Sequence, residues 1–166
     1  VDGWAADEAA GRSSLMIAGT NHEIVTLNVM AQERRVTDGE VDLTAGVVEQ
    51  ADGNRAGVGD RVVTRRNDRR MTLDRGQGFV KNGDLWTVVE VLDDGAVRVV
   101  DPLGRGAVLP AEYVAVNTGL GYATTVHRAQ GQTVDNARIL ITNTTSRESL
   151  YVGLTRGRAT NEVYAI

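Results

Sequence analysis

The chain has 166 residues, 42% of them hydrophobic, with two histidines, no cysteine and a formal net charge of −4. That length and balance suit one ordinary domain or two small ones and exclude intrinsic disorder. The composition also excludes disulfides and thiolate metal sites and leaves too few histidines for a zinc cluster, and no apolar run approaches the roughly eighteen residues of a membrane span.

The opening "VDGWAADEAA" lacks the basic and apolar regions of a signal peptide and starts without Met, as an excised piece would. The expectation is a soluble, cytoplasmic domain with no membrane partner. "SSLMIAG" (13–19) is a continuous apolar run ending in glycine, the pattern of a strand buried on both faces. It leads into "TNHEIVTLNVMAQERR", where Ile24, Leu27 and Met30 recur at helical spacing and Thr20 with Glu23 can form a capping box. The middle of the chain changes character. "GDRVVTRRND" (59–68), "DLWTVVEVL" (84–92), "AVRVV" (96–100) and "GAVLP" (106–110) read as strands, with turn signals at Asn82-Gly83 and Asp94-Gly95. No long helical pattern interrupts them, which suggests a small antiparallel sheet or barrel inserted into an α/β domain. Beyond it, "ARILIT" (137–142) reads as a buried strand and "SRESLYVGLTRGR" (146–158) as a helix. Thr145 and Glu148 are its expected capping partners, Leu150 and Leu154 share a face, and Gly157 is the stop signal. "NEVYAI" (161–166) is a terminal strand. The fold class is therefore α/β: a parallel sheet flanked by helices at 1–46 and 119–166, interrupted by a β subdomain at 47–118.

Charge is segregated. Residues 1–50 carry nine acids and three bases, whereas residues 51–76 carry four acids and seven arginines. Such a pattern either focuses a local positive field on an acidic protein or marks a solvated hairpin face. Lys81 is the one lysine, and its context, "GQGFVKNG", has Val80 and Asn82 where a phosphate-binding loop needs glycine and Ser or Thr. No complete nucleotide cradle is encoded.

Four stretches carry a family resemblance. "LGYATTVHRAQGQTVD" (120–135) resembles motif V of superfamily 1 DNA helicases of the RecD-like branch, and "ESLYVGLTRGR" (148–158) resembles their motif VI. "LMIAGTNHEIVTLN" (15–28) is similar to the strand–helix element that opens the second motor lobe, and "GDRVVTRRND…VKNGDLWTVVEV" resembles the small Src-homology-like barrel inserted there. The wording of motif VI is most similar to the helicase part of conjugative relaxases of the TraI/TrwC type. The resemblance implies a RecA-like second lobe with an inserted barrel, taken from a motor that moves 5′→3′ on single-stranded DNA. ATP and Mg would be bound mainly by an upstream first lobe of the same polypeptide, so this chain should be inactive alone.

The resemblance also assigns residues. Thr124, Thr125 and His127, together with Thr20 and Asn21, would meet DNA phosphates, a task suited to hydroxyls and amides that grip a strand without reading bases. Gln130 and Gly131 would lie beside the terminal phosphates of ATP, and Arg156 would be the arginine that stabilises charge on the departing phosphoryl group. Thr133 stands where many members carry a sugar-binding glutamate. Plainer readings stand beside these: Thr20 and the motif V threonines as helix caps, Arg156 as a cation at a helix C-terminus, Arg158 and Arg147 as surface pairs. Arg61, Arg65, Arg66, Arg69 and Arg70 either line a strand channel or decorate a surface, and Trp86, Trp4 and Tyr122 read as core. A nucleic-acid-binding or protein-interaction module from a degenerate helicase is the alternative.

Overall fold

A computed structural model describes residues 1–143 and 145–165. They form two compact units, one of Val1–Arg34 with Tyr122–Ile166 and one of Arg35–Gly121. The chain begins with α1 (Asp2–Ala9), β1 (Ser14–Ala18) and α2 (Asn21–Thr37). The second unit contains β2 (Asp42–Glu49), β3 (Arg55–Val58), β4 (Arg61–Thr64), β5 (Asp68–Thr72), a single 3₁₀ turn at Asp74–Gly76 and β6 (Phe79–Val80). It continues with β7 (Leu85–Val91), β8 (Val97–Val100), β9 (Gly106–Leu109), α3 (Ala111–Asn117) and β10 (Thr118–Leu120). The first unit resumes with β11 (Ala123–Thr125), α4 (Val126–Ala129), β12 (Val134–Ile141), α5 (Arg147–Leu154) and β13 (Gly157–Ala165). The expected strand end at Ile166 lies outside the described residues.

The first unit is built on a parallel sheet in the order β11-β1-β12-β13. Ile17, Ala137 and Ile139 pack on one face against Val126 and Ala129 of α4, with Leu150 of α5 beside them. The two-residue period of a strand sends the alternate side chains, Met16 and Leu140, to the face that α2 covers. On α2 the buried residues are Ile24, Asn28 and Ala31, while Met30 is exposed. The apolar spacing Ile24–Leu27–Met30 thus misplaces the buried stripe, because a polar residue occupies its centre. Asn28 Oδ1 accepts from the backbone N–H groups of Tyr122 (2.9 Å) and Ala123 (2.8 Å), fastening α2 to the start of β11.

Helix α1 was not expected from the sequence. Its two buried residues are Trp4, which meets Tyr122 edge-on at 5.5 Å, and Asp7. The Asp7 carboxylate accepts from Ser14 Oγ (2.9 Å), Asn136 Nδ2 (2.7 Å) and Arg138 Nε (2.8 Å). Burial pushes its pKa up, but these hydrogen bonds and the Arg138 charge together hold it below the usual carboxylate value.

At the other end, α5 stops at Leu154 and Gly157 is the first residue of β13, so the expected stop at Gly157 is not used. Its cap is Ser146, whose Oγ accepts from Ser149 N–H (3.1 Å); Thr145 Oγ1 instead accepts from Thr142 N–H (2.9 Å). Leu150 is half-buried and Leu154 exposed, because Gly153 is the residue that faces Ile139.

The second unit holds an antiparallel sheet ordered β10-β4-β7-β8-β9, plus the pairs β2–β3 and β5–β6. Asp94-Gly95 turns β7 into β8, with Leu92 N–H bonded to Ala96 O (2.8 Å) and Ala96 N–H to Asp94 Oδ1 (2.9 Å). Trp86 is buried and its Nε1 donates to Thr64 Oγ1 (3.2 Å), which makes it core and closes it to a nucleic-acid base. The units divide at 34/35 and 121/122, where the sequence reading placed breaks at 46/47 and 118/119. Strand β2 pairs with β3 and β10 with β4, which draws both flanks into the second unit.

Candidate nucleic-acid and nucleotide sites

A parallel sheet has two distinct ends, and the loops after its strands gather at one of them. Here Ile17 stands beside Thr124 and Ala18 beside Thr125, so the turns from β1 into α2 and from β11 into α4 emerge side by side. Thr20 and Asn21 are exposed on the first turn and His127 on the second, with Thr124 and Thr125 half-buried at the strand end. The capping box of α2 is formed: Thr20 Oγ1 accepts from Glu23 N–H (3.2 Å), while Glu23 Oε2 accepts from Thr20 N–H (2.9 Å) and Gly19 N–H (3.0 Å). Thr125 caps α4 by accepting from Arg128 N–H at 3.4 Å. Each capping hydroxyl uses its oxygen as acceptor and keeps its hydrogen to donate. Capping and phosphate contact are therefore compatible at both threonines.

The connection from β12 into α5 comes to the same end. A Cβ placed on Gly19 would lie 3.9 Å from Thr145 Oγ1. Thr142, Thr145 and Ser146 thus join the threonines of the other two turns, a contribution the sequence reading missed. The available signal was a hydroxyl-rich run directly after a buried strand of a parallel sheet.

Gln130, Gly131 and Arg156 occupy the opposite end. Helix α4 is one turn long, about 6 Å at the usual rise, and it separates Thr125 from Gln130. Gly131 is exposed with φ +86°, a conformation costly for any side chain, and a Cβ there would meet open space. At this end Val134 pairs with Gly157, and Val134 N–H donates to Arg156 O (3.0 Å). The Arg156 side chain donates from Nε to Val152 O (3.0 Å), from Nη1 to Gln132 O (3.3 Å) and from Nη2 to Thr155 Oγ1 (2.8 Å). A guanidinium has five N–H donors, so two remain. Among the described residues no carboxylate lies within ion-pair distance of it. The Gln132 carbonyl is a positioning group that no side-chain motif could reveal. Arg158, by contrast, is neutralised by Asp135 (2.6 Å), whose pKa is held to about 2 by the Ser13 backbone N–H, the Ser13 hydroxyl and Arg158.

The eight expected residues thus form two groups: Thr20, Asn21, Thr124, Thr125 and His127 at one end of the sheet, Gln130, Gly131 and Arg156 at the other. An apolar groove of about 400 Å³ lies between α2 and the sheet, lined by Met16, Leu27, Met30, Leu140 and Tyr164, and none of the eight lines it. Among the described residues, no group of three or more His, Asp or Glu side chains could hold a metal ion, and no helix is long and apolar enough to cross a membrane.

Residues 67–165 match the family described as the viral superfamily 1 RNA helicase core domain. The chain belongs to that family. This superfamily 1 helicase domain is 34% identical over 163 residues to the conjugal transfer protein TraA of Agrobacterium fabrum, and 32% identical over 166 residues to the TraA of Rhizobium radiobacter. Each alignment covers 97% of the helicase domain and 14% of the relative, so the chain spans about a seventh of the length of those proteins. Among solved structures it is similar to the Pif1 helicase from Bacteroides in complex with ADP-AlF3 and ssDNA, with TM-score 0.65 and 20% identity, covering 90% of this chain and 40% of that one. It also resembles the Pif1 helicase from Candida albicans, with TM-score 0.55 and 16% identity, covering 92% and 45%. At these identities the likeness speaks for the fold.

Proposed function

We propose that this chain is the second motor lobe of an ATP-dependent DNA helicase of the RecD-like branch, acting in conjugative DNA transfer. Its antiparallel unit is read as the inserted Src-homology-like barrel. The observation that carries the reading is the Arg156 guanidinium, steadied by three acceptors beside the Gln130–Gly131 turn, with two donors left and, among the described residues, no carboxylate to neutralise it. A cation so held is suited to the terminal phosphates of ATP bound with Mg on a first lobe, where the nucleotide supplies the phosphoryl group and the arginine stabilises the charge that builds on it. Gly131 lets the backbone approach the same anion.

At the opposite end, Thr20, Asn21, Thr124, Thr125 and His127 supply exposed or half-buried polar groups that hold phosphates of a single DNA strand without reading sequence. Helix α4 joins the two ends. A displacement imposed at Gln130 reaches Thr125 through one hydrogen-bonded turn, which links closure over ATP to a shift of grip; the resemblance to the RecD-like branch implies that the movement is 5′→3′. Lys81 follows β6 in a turn to β7, with no helix N-terminus after it, which fits a phosphate-binding loop supplied by a first lobe.

The test is Arg156→Ala in the full-length polypeptide. DNA-stimulated ATP hydrolysis should fall by about a thousandfold, with affinity for single-stranded DNA retained. Normal turnover in that variant would remove the reading.

A further inference from the structure

Of the apolar stripe Ile24–Leu27–Met30 on α2, only Ile24 is buried; Leu27 is half-buried and Met30 is 48% exposed. Leu27 and Met30 turn instead to the groove between α2 and the sheet, whose other wall is Met16, Leu140 and Tyr164. Parallel sheets are as a rule covered on both faces. Here α4 and α5 pack on one face. On the other, α1 reaches β12 at Asn136 and Arg138 through Asp7. Further along the same face Leu140 and its register partner Tyr164 stay uncovered, Tyr164 being 45% exposed. The groove's charged side chains among the described residues, Glu23 and Arg138, are both engaged. Glu23 accepts from the N–H groups of Gly19 and Thr20, and Arg138 is held by Asp7 and Glu162. The Tyr164 hydroxyl accepts from Arg138 (2.6 Å) and donates to Glu162 (2.6 Å), so this residue offers the groove its ring. Such a lining suits apolar side chains and gives an ion or a nucleotide nothing to pair with.

We infer that the groove seats an amphipathic helix of the full-length polypeptide, in the segment that continues from β13. The TraA relatives are about seven times the length of this chain, so polypeptide of that kind is at hand. The place of β13 favours this segment: Tyr164, next to the last residue of the strand, is itself part of the lining. A strand-to-helix connection of about 2–6 residues turns the chain back along the sheet, as β1 turns into α2. The new helix then lies beside α2, with apolar side chains at helical spacing against Leu27, Met30, Leu140 and Tyr164. The inference rests on the function proposed above only in taking the chain as part of a longer polypeptide, and it uses none of the residues assigned to DNA or ATP.

The experiment compares M30C in the 166-residue chain and in the full-length polypeptide, following maleimide labelling on the peptide that carries position 30. In the full-length protein labelling must await a local opening, so it should slow by about tenfold or more. V116C, at a residue 68% exposed in the other unit, should label at the same rate in both. A benzophenone attached at M30C in dilute full-length protein should cross-link to the segment following β13 of the same molecule. M30D should lower the Tm of the full-length protein by several degrees and that of the 166-residue chain much less, because only in the former does the charge meet an apolar helix. Equal labelling of position 30 in the two proteins, equal Tm shifts, or a cross-link to another segment or to a second copy overturns the inference. Failure of the motor reading looks different: Arg156→Ala would leave ATP turnover unchanged while position 30 stayed protected.

Discussion

Arg156 and Arg158 lie two positions apart and meet opposite fates. Arg158 is paired to Asp135, whereas Arg156 is steadied only by neutral oxygens and retains donors for an anion. The difference is one of partners rather than residue type, so in sequence only the resemblance set the two apart. Asp135 has a pH consequence of definite sign. Its folded pKa of about 2 lies below the ordinary 3.8, so its contribution to stability is complete above that value and is lost as pH falls through about 2. D135N should flatten that part of the acid unfolding curve while leaving the curve near neutrality parallel to wild type. Asp7 matters more because it is buried among Ser14, Asn136 and Arg138. Asp7→Asn removes one member of a buried ion pair and leaves Arg138 with Glu162 as its remaining carboxylate. Urea denaturation should show a loss of about 3 kcal/mol.

Among the elements, those with apolar faces were legible. The runs at 13–19 and 137–142 became β1 and β12 because both faces of the parallel sheet are covered, and the Asp94-Gly95 turn became the β7–β8 hairpin. Polar anchors were harder to read. Helix α1, which buries Asp7, was missed, and α2 was read as a helix but with its buried face misplaced, because Asn28 does not register in an apolar period. Helix α3 is only seven residues long and follows Pro110 directly, so its start looked like the end of a strand. Candidate site residues could be named where a motif specifies side chains, as with Thr124, His127 and Arg156. They could not be named where main-chain groups or separate loops contribute, as with the Gln132 carbonyl and the Thr142–Ser146 connection. Two substitutions test the elements directly. Thr20→Ala removes one half of the formed capping box and should cost about 1 kcal/mol in thermal or urea unfolding. Gly153→Ala places a Cβ 2.9 Å from Ile139 Cγ1 and should cost about 1–3 kcal/mol in urea unfolding.

For the whole molecule, an average charge of −4 conceals a basic segment in an otherwise acidic chain. Nucleic-acid binding should therefore fall steeply with salt despite the acidic pI. The purified chain should also release no phosphate from ATP above background, since neither unit supplies a lysine-bearing phosphate loop. Measurable turnover would contradict the proposed division of labour between two lobes. A last property follows from β13, which closes the parallel sheet with no further strand beyond it among the described residues. It is nine residues long, with Val163 and Tyr164 exposed, and its charged Arg158 and Glu162 are engaged by Asp135 and Arg138. Lacking lysine and proline, such a margin is adhesive: in concentrated solution copies should pair edge to edge through β13, and Val163→Lys should keep them apart.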